Sequence, residues 1–584
     1  MLYKSKSLLV CENTAFALRK NRRNTMKTTL KKTLALILAV AMVFCFTACK
    51  ESTDTSSNGS SLVADNSIIE STDTVTSEEL SDSSETSQVG GTSSQGDSST
   101  NNSSTTSTQT ATSSKVTTSA ATSSSGGQTS SGNYEKPYEG NAAILCKGQT
   151  SKYDSQAEAL RLKIVNAKDS GLKGTATYYV SYKGSDYNTG TSKDSPWKTI
   201  NMVNQRRGSM PSGSVILFER GGVYRGKLYV NSNTSVGAYG SGPKPCIYGS
   251  SQNYALEYLW TKTSTPNVWK LTTNEGDVGN VVFDHGKVAT GRKPNISALS
   301  QDYDMFSAKG VVYLYLSKGN PAKLHKDIEL NGTSGQAHII TGPVGAKNIH
   351  IENLCVKYGG IHGITFVNSE NITIKNCEIG YIGGAMMNNS AWYGNGIEFW
   401  NSCKNVLVDS NWVYQCYDAG ITNQGTKVVE ENVTFSNNLV EYCAYNIEYF
   451  IDENEGEFKN ITYSDNILRF AGGGWADPKA RQSGADGGVA LICGWGARTY
   501  KTTNFVIKNN ILDTSYRYLV YIGDVNSARN AKLEGNTYYQ VASQYASICM
   551  EGTKTSIYAQ NATQFKEVIA KIDPKAKAAE FVSK

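Results

Sequence analysis

Short stretches of alternating apolar and polar residues recur along the second half of the chain. Strict alternation of this kind is typical of β-strands. Seven of the stretches open on an Asn, and the steps between these leading residues are 23, 34, 27, 28, 44 and 26. The leading residues are Asn348, Asn371, Asn405, Asn432, Asn460, Asn504 and Asn530. A turn of roughly two dozen residues therefore repeats, in places with an insertion, which predicts a solenoid built of strands.

Two further features follow the same period. In five successive turns a second Asn lies six residues after the first, at Asn411, Asn438, Asn466, Asn510 and Asn536. Asn at a fixed bend can stack its side-chain amides into a ladder. A second strand closes each turn, at 363–366, 396–399, 420–423, 446–449, 488–491 and 518–521. Together these features predict an all-β fold, a parallel β-helix.

The ends of a solenoid expose unpaired strand edges, so capping segments are expected. Residues 154–169 predict an amphipathic helix, which Asp154 or Ser155 would cap. We expect this helix, within an N-terminal cap of 134–177, to cover one end. The β-helix itself is predicted over 178–555, and 556–584 is predicted as a C-terminal cap or tail that starts its helix near Asn561.

The first 133 residues carry targeting signals instead of a fold. An apolar run at 33–48 follows Lys27, Lys31 and Lys32, which is the layout of a secretory signal peptide. We assign 1–48 to that signal, either with Met26 as its natural start and 1–25 lying upstream or with one long basic region. The small residues before Cys49 resemble a bacterial lipobox. Lipidation of Cys49 would anchor the protein to the outer face of a bacterial membrane, whereas ordinary cleavage after Ala48 would release it.

Residues 49–133 are rich in Ser and Thr, and they contain no Phe, Trp, Tyr or Pro. Such a segment buries too little apolar surface to fold, so we predict a disordered linker. Residues 1–48 carry a net charge of +8 and 50–133 carry −8, which leaves +6 on 134–584. This weak charge argues against a nucleic-acid partner, which would require a basic stripe. A monomer is expected.

Three segments carry a family resemblance. YYVSYKGSDYNTGTSKDSPWKTINMVN (178–204), SVILFERGGVYRG (214–226) and YGSGPKPCIYGS (239–250) resemble the opening of bacterial right-handed parallel β-helix proteins. That superfamily, which includes pectate lyases and polygalacturonases, implies a right-handed helix, extracellular work and a polysaccharide substrate. The chain lacks the paired Asp and GHG of the polygalacturonases and the RxPxxR pattern of the pectate lyases. No catalytic residue therefore transfers from either group.

The alternation of inward and outward residues along the closing strands places candidate catalytic and binding side chains on the outer surface. It puts Glu398 and Trp400 outward, then Gln424 one turn later, then Glu448 and Phe450. Two turns separate the two glutamates, roughly 9–10 Å at the strand spacing of parallel sheets. Inverting glycosidases hold their carboxyl groups about 6.5–9.5 Å apart.

Asp418 and Asp486 each lie two residues before the Gly that opens a closing strand, at the border of the same face. The candidate catalytic residues are therefore Glu398, Asp418, Glu448 and Asp486, of which we favour Asp418 and Glu448. The candidate substrate-binding residues are Trp400, Tyr417, Gln424, Phe450, Trp475, Trp495 and Arg498. His362, one turn before Glu398, is interpreted as a polar residue of its turn and not as a catalyst.

Three functions fit this pattern. The first is a glycoside hydrolase that uses paired carboxylates and no cofactor. The second is a polysaccharide lyase, in which the acidic cluster would hold Ca²⁺ and Arg481, Arg498 or Lys427 would act as the base. The third is a cell-surface glycan binder or adhesin without catalysis. The hydrolase is placed first because an acidic and aromatic groove suits acid/base catalysis without a basic residue in register.

Overall fold

The structure is a computed structural model that describes residues 151–333, 338–387, 391–476, 489–495, 499–523, 525–541, 546–550, 555–558 and 561–582. The predictions for the signal peptide, Cys49 and the linker lie outside the described residues. Within the described part of the chain, no helix is both long and apolar enough to cross a membrane.

Within the described residues, three parallel sheets of ten strands each form the body of the molecule. The chain passes from the first sheet to the second and then to the third, and each strand pairs with its counterpart one turn further on. The edge strand β39 (Thr555–Tyr558) is the exception, because it runs antiparallel to β38 (Ala546–Met550). The predicted right-handed parallel β-helix is confirmed.

The strands of the three sheets are as follows. The first sheet contains β1 (Thr177–Val180), β2 (Val215–Glu219), β5 (Ser235–Tyr239), β16 (Lys347–Glu352), β19 (Glu370–Lys375), β24 (Lys404–Asp409), β27 (Val429–Ser436), β30 (Glu457–Ser464), β33 (Lys501–Lys508) and β36 (Lys532–Glu534). The second contains β3 (Val223–Arg225), β6 (Cys246–Tyr248), β17 (Cys355–Lys357), β20 (Glu378–Ile382), β25 (Trp412–Cys416), β28 (Leu439–Glu441), β31 (Ile467–Ala471), β34 (Ile511–Ser515), β37 (Thr537–Val541) and β40 (Ala578–Val582). The third contains β4 (Leu228–Tyr229), β15 (His338–Thr341), β18 (His362–Val367), β23 (Ile397–Trp400), β26 (Ala419–Gly425), β29 (Tyr445–Ile451), β32 (Ala490–Gly494), β35 (Tyr518–Ile522), β38 (Ala546–Met550) and β39 (Thr555–Tyr558).

Insertions interrupt the β-helix at the corner between the second and third sheets. The largest, after β6, is an antiparallel subdomain with its own apolar core, which the sequence analysis did not separate from the solenoid. Its strands are β7 (Trp260–Lys262), β8 (Val268–Thr272), β9 (Val278–Phe283), β10 (Val288–Ala289), β11 (Gly291–Arg292), β12 (Asp304–Ala308), β13 (Val311–Tyr315) and β14 (Ile328–Gly332). A short hairpin, β21 (Met386–Met387) with β22 (Ala391–Trp392), interrupts a later turn at the same corner. The insertions therefore lie at the corner between the second and third sheets, and the subdomain contacts the second sheet, where Glu329 pairs with Arg225 of β3 and Tyr381 of β20 donates to Gly286.

In the part of the chain that the structure describes, five α-helices accompany the sheets: α1 (Asp154–Val165), α2 (Ile200–Arg206), α3 (Pro321–Leu324), α4 (Val525–Asn530) and α5 (Ala562–Ile572). Helix α1 packs on the outer face of the second sheet, against β25 and β28, and does not cover an end as expected. Arg161 of α1 explains this position, because it forms a buried ion pair of 2.7 Å with Glu441 on β28. Helix α5 does cover the C-terminal end, where Phe565 and Ile569 join the main core.

Stacked columns of identical or similar residues fill the interior. In the third sheet, Ile364, Ile397, Ile421 and Ile447 occupy one register position and are fully buried. The Gly that precedes each of the first three is required by close packing. A Cβ on Gly420, for example, would lie 2.4 Å from a side-chain carbon of Val440. The recurrent Gly-Ile pair therefore marks the corner at which each turn enters the third sheet.

Two Asn ladders run along the molecule. In the predicted inner ladder, each amide from Asn411 to Asn510 donates to the next Oδ1 at 2.9–3.1 Å, and Asn536 donates to Asp573 at 3.0 Å. Six of the leading Asn residues, from Asn348 to Asn504, form a second, outer ladder with Asn233 at 2.7–3.0 Å, whereas Asn530 lies in α4. Their φ values lie near +55°, a backbone region that Asn tolerates better than most residues.

Candidate functional site

The outer face of the third sheet carries two neighbouring columns. The carboxylate column contains Thr365, Glu398, Thr422 and Glu448 in register on successive strands. The aromatic column, two residues further along each strand, contains Val367, Trp400, Gln424 and Phe450. The predicted outward phase is thus observed, with Glu398 and Glu448 two strands apart. At about 4.8 Å per strand, their backbones are separated by about 10 Å.

Glu398 is the most constrained residue of this face. Its Oε2 accepts a hydrogen bond from Thr365 at 2.8 Å and lies 3.1 Å from His362 Nε2. Its Oε1 accepts from the side-chain amides of Asn395 at 3.1 Å and Gln424 at 2.8 Å. A carboxylate has about four acceptor positions. Three side-chain donors therefore occupy most of the hydrogen-bonding capacity of Glu398.

Two backbone amides fix the orientation of these donors. The N–H of Asn395 donates to Nδ1 of His362 at 3.2 Å, so the ring proton lies on Nε2, which faces Glu398. The N–H of Ala419 donates to Oδ1 of Asn395 at 3.0 Å, so the amide NH₂ of Asn395 also faces Glu398. The corner of the solenoid thereby directs two donors at one carboxylate.

Burial dominates the ionisation of this cluster. It raises the pKa of Glu398, although the surrounding donors oppose that shift. It lowers the pKa of His362 to about 4, with the charge of Asp418 acting in the opposite direction. His338 stacks on His362 at 5.1 Å between ring centroids, and burial lowers its pKa to about 3. Both imidazoles are therefore neutral near pH 7.

The middle strand, β26, contains three buried polar atoms for which the described residues supply no hydrogen-bond partner. These are Oγ1 of Thr422, Nδ2 of Asn423 and Oε1 of Gln424. On either side of Gln424, the half-exposed rings of Trp400 and Phe450 meet edge to face at 6.3 Å. Partly exposed aromatic rings of this kind suit the apolar face of a sugar ring.

The environments of the other predicted residues differ. Trp495 packs against Tyr445 and Tyr521, and its indole N–H donates to Glu448. Tyr417 and Trp475 are nearly buried and pack together at 5.6 Å, so they lie beneath the surface and not on it.

Asp418 lies half-buried at the bend before β26. Its N–H donates to Gly394, and its carbonyl accepts from Ala444 and Tyr445. Asp486 and Arg498 lie outside the described residues. No group of three or more metal-ligating side chains is found within the described ranges.

A cavity of about 880 Å³ adjoins the His338 end of the face. It lies between the inserted subdomain and the helix, and its lining includes Phe306, Lys309, His338, Met386 and Trp392. The inserted subdomain thus forms one wall of this cavity.

Sequence reasoning missed Thr365, His362, His338 and Asn395 as partners of this site. Register explains their contribution, because His338 pairs with His362, and Thr365 with Glu398, on adjacent strands. The signal was present, since both His362 and Asn395 directly precede the Gly that enters a third-sheet strand.

Comparison with known proteins gives likenesses only among solved structures: no protein-family model matches the chain, and no curated protein matches it. The complex of XylC with xylose is 11% identical, with a TM-score of 0.37 over 70% of this chain and 85% of that one. Pectate lyase Pel9A is 13% identical, with a TM-score of 0.37 over 64% and 71%. The polygalacturonase of Erwinia carotovora ssp. carotovora is 13% identical, with a TM-score of 0.29 over 64% and 95%. At these identities the likeness concerns the fold and leaves the reaction open.

Proposed function

We propose that this protein is a glycoside hydrolase that cleaves a glycan on the outer face of the third sheet. The observation that carries the proposal is the acidic outer face of the third sheet, where Glu398 and Glu448 share one column, Asp418 lies at the bend before the strand between them, and Trp400 and Phe450 stand in the neighbouring column. A pair of carboxylates supplies the general acid and base of glycoside hydrolysis.

The hydrogen bonds divide the roles among the carboxylates. Three side-chain donors, from Thr365, Asn395 and Gln424, hold the buried carboxylate of Glu398 in one orientation. We therefore assign it a positioning role. Proton transfer falls to Glu448 and to Asp418, which lies on the turn between the two glutamates.

The test is the activity of the full chain on pectins, xylans, alginate and host glycans. We expect new reducing ends without the absorbance near 235 nm that an unsaturated lyase product would give. Glu448→Gln and Asp418→Asn are each expected to lower kcat about 10²–10⁴-fold, the usual contribution of general acid–base catalysis. Glu431→Gln is the control, because that residue lies on the first sheet and pairs with Lys459.

Other outcomes would assign other functions. Absorbance near 235 nm that disappears with a chelator would make this protein a lyase. Binding of a glycan that remains uncut would indicate a surface adhesin. Export and lipid anchoring at Cys49 remain part of the proposal, and radiolabelled palmitate incorporation into the chain, compared with Cys49→Ala, tests them.

A further inference from the structure

The carboxylate column extends beyond the glutamates to the N-terminal edge strand of the third sheet, β4. On the four successive strands that end at β23, it contains Tyr229, Thr341, Thr365 and Glu398 in register. At about 4.8 Å per strand, the backbone of Tyr229 lies about 14 Å from that of Glu398 and about 24 Å from that of Glu448. A glycan that follows the column therefore reaches Tyr229 with a unit remote from the cleaved linkage.

Two cationic side chains accompany Tyr229 at this end of the face. Lys227 lies two residues before Tyr229, and the buried Leu228 between them places both side chains on the outer face. The guanidinium of Arg207 lies over the ring of Tyr229, 3.9 Å from the ring centroid. We call Lys227, Arg207 and Tyr229 the basic cluster.

Helix α2 holds Arg207 in this position. Asn204 of α2 donates to the carbonyl of Lys227 at 2.7 Å and accepts from the N–H of Tyr229 at 3.0 Å, which fixes the end of the helix against the edge strand. The side chain of Arg207 donates one long hydrogen bond within the described residues, of 3.5 Å to Oδ1 of Asn231. A guanidinium stacked on an aromatic ring keeps a planar fork of N–H donors at its edge, which matches two oxygens of a carboxylate or a similar oxyanion.

The positive charges of the basic cluster lack a counter-ion. Burial and the charge of Arg207 lower the pKa of Lys227, and no carboxylate of the described residues acts in the opposite direction. Both cationic side chains are half-buried, so the cluster stays open to solvent. Two like charges that are held together and partly desolvated cost free energy, and a bound anion would offset that cost.

We infer, on the basis of the proposed function, that the basic cluster is a subsite for an anionic substituent of the glycan, a carboxylate or a sulfate. Arg207 binds two of its oxygens through the guanidinium edge, and Lys227 adds a point charge. The glutamates do not oppose this binding, because the distance of about 14 Å exceeds the screening length of about 8 Å at physiological ionic strength. The substrate therefore carries its charge several sugar units away from the linkage that is cleaved.

Matched glycan pairs test the inference on the full chain by isothermal titration calorimetry. The uronate pair is polygalacturonate with its carboxyl-reduced counterpart, and the sulfate pair is a sulfated galactan with its desulfated counterpart. We expect Kd to be lower by about tenfold or more for the anionic member of one pair, which is the effect of one charged hydrogen bond. The pair that shows the preference identifies the anion.

The outcomes separate the inference from the proposed function. Equal or tighter binding of the neutral member in both pairs, or no binding of any probe, would overturn the inference. New reducing ends from the neutral members would then still support the hydrolase. A preference for an anionic member without any cleavage would support the subsite and count against the hydrolase.

Substitutions assign the preference to the basic cluster. Lys227→Gln and Arg207→Gln each remove one charge, so we expect each to raise Kd for the anionic member about tenfold and to leave Kd for the neutral member unchanged. A merely structural role would weaken the binding of both members alike. Lys163→Gln is the matched control, because Lys163 is exposed on α1 against the second sheet. An unchanged preference in a variant of normal thermal stability would contradict the assignment, and if one variant does not fold, the other decides the question.

Discussion

At the scale of single residues, the stacked side chains of His338 and His362 make the free energy of unfolding depend on pH. Burial lowers the pKa of His362 to about 4 and that of His338 to about 3, from an unperturbed 6.5. Between pH 6.5 and about 4 the unfolded chain binds more protons than the folded one at these two sites. The free energy of unfolding therefore falls as the pH is lowered through this window, by up to about 1.4 kcal/mol per pH unit for each residue.

Urea denaturation at several pH values measures this slope. We expect His362→Gln to make it shallower, and ¹⁵N NMR of the five histidines to show a neutral His362 with its proton on Nε2 at pH 5. His285→Asn is the control, because that side chain is 45% exposed and its φ of 60° suits Asn. A cationic His362 at pH 5 would contradict the hydrogen-bond assignment around Glu398.

Glu430 makes a second residue-scale prediction, with the opposite sign. It is fully buried on β27, both carboxylate oxygens lack a side-chain hydrogen-bond partner, and burial raises its pKa well above 4.5. Above pH 4.5 the carboxyl group of this residue ionises in the unfolded chain but stays protonated in the folded chain. Its contribution to stability is therefore complete below pH 4.5 and is lost as the pH rises towards the folded pKa, at about 1.4 kcal/mol per pH unit.

Thermal unfolding of Glu430→Gln tests that sign. The variant is expected to unfold at a higher temperature than the parent at pH 8, with the difference shrinking towards pH 4. Glu431→Gln next to it is half-exposed and should show no such trend. A loss of stability at pH 8 would mean that the Glu430 carboxylate is stabilised as an anion.

At the scale of elements, the inner Asn ladder joins neighbouring turns more strongly than the outer one. Asn466 is nearly buried; its Oδ1 accepts from both the N–H and the NH₂ of Asn438, and its NH₂ bonds Phe435 and Asn510. Asn466→Ala leaves several of these groups unpaired, so we expect it to lower the free energy of unfolding by about 2–3 kcal/mol. Asn460→Gly in the outer ladder, where φ is +57°, should cost less than about 1 kcal/mol. Chemical denaturation compares the two, and equal losses would refute the distinction.

The elements also show how far the sequence predicts this molecule. The alternation within each strand sets its inward and outward faces locally, so the phase of Glu398, Gln424 and Glu448 was predictable. Contacts across the corners were not predictable, because the 3.1 Å contact between His362 and Glu398 depends on how the chain turns into the third sheet. The subdomain between β6 and β15 was missed because its short strands resemble those of the solenoid, although they pair antiparallel. The position of α1 depends on long-range contacts that no local pattern predicts, among them the ion pairs of Arg161 with Glu441 and of Asp154 with Arg469.

At the scale of the whole molecule, the candidate site residues lie on the third sheet, next to the corner at which the insertions interrupt the β-helix. The insertions lie at the corner between the second and third sheets, whereas the outer ladder lies on strands of the first sheet and the inner ladder at the corner that follows it. A parallel β-helix can therefore vary its site without altering its core. The remaining requirement is closure of the two ends of the stack.

The C-terminal end makes the last prediction. Helix α5 buries Phe565 and Ile569 against the last turns, and Asp573 accepts from the N–H and NH₂ of Asn536, which ends the inner ladder. Truncation after residue 558 removes these contacts together with β40, and it leaves the edge of β37 unpaired. Exposed edges of this kind pair with other chains, so we expect the truncated protein to form concentration-dependent oligomers. Light scattering after gel filtration measures this. Asp573→Asn, which keeps the helix and β40, should stay monomeric, and a monomeric truncated protein would show that the edge is protected without the cap.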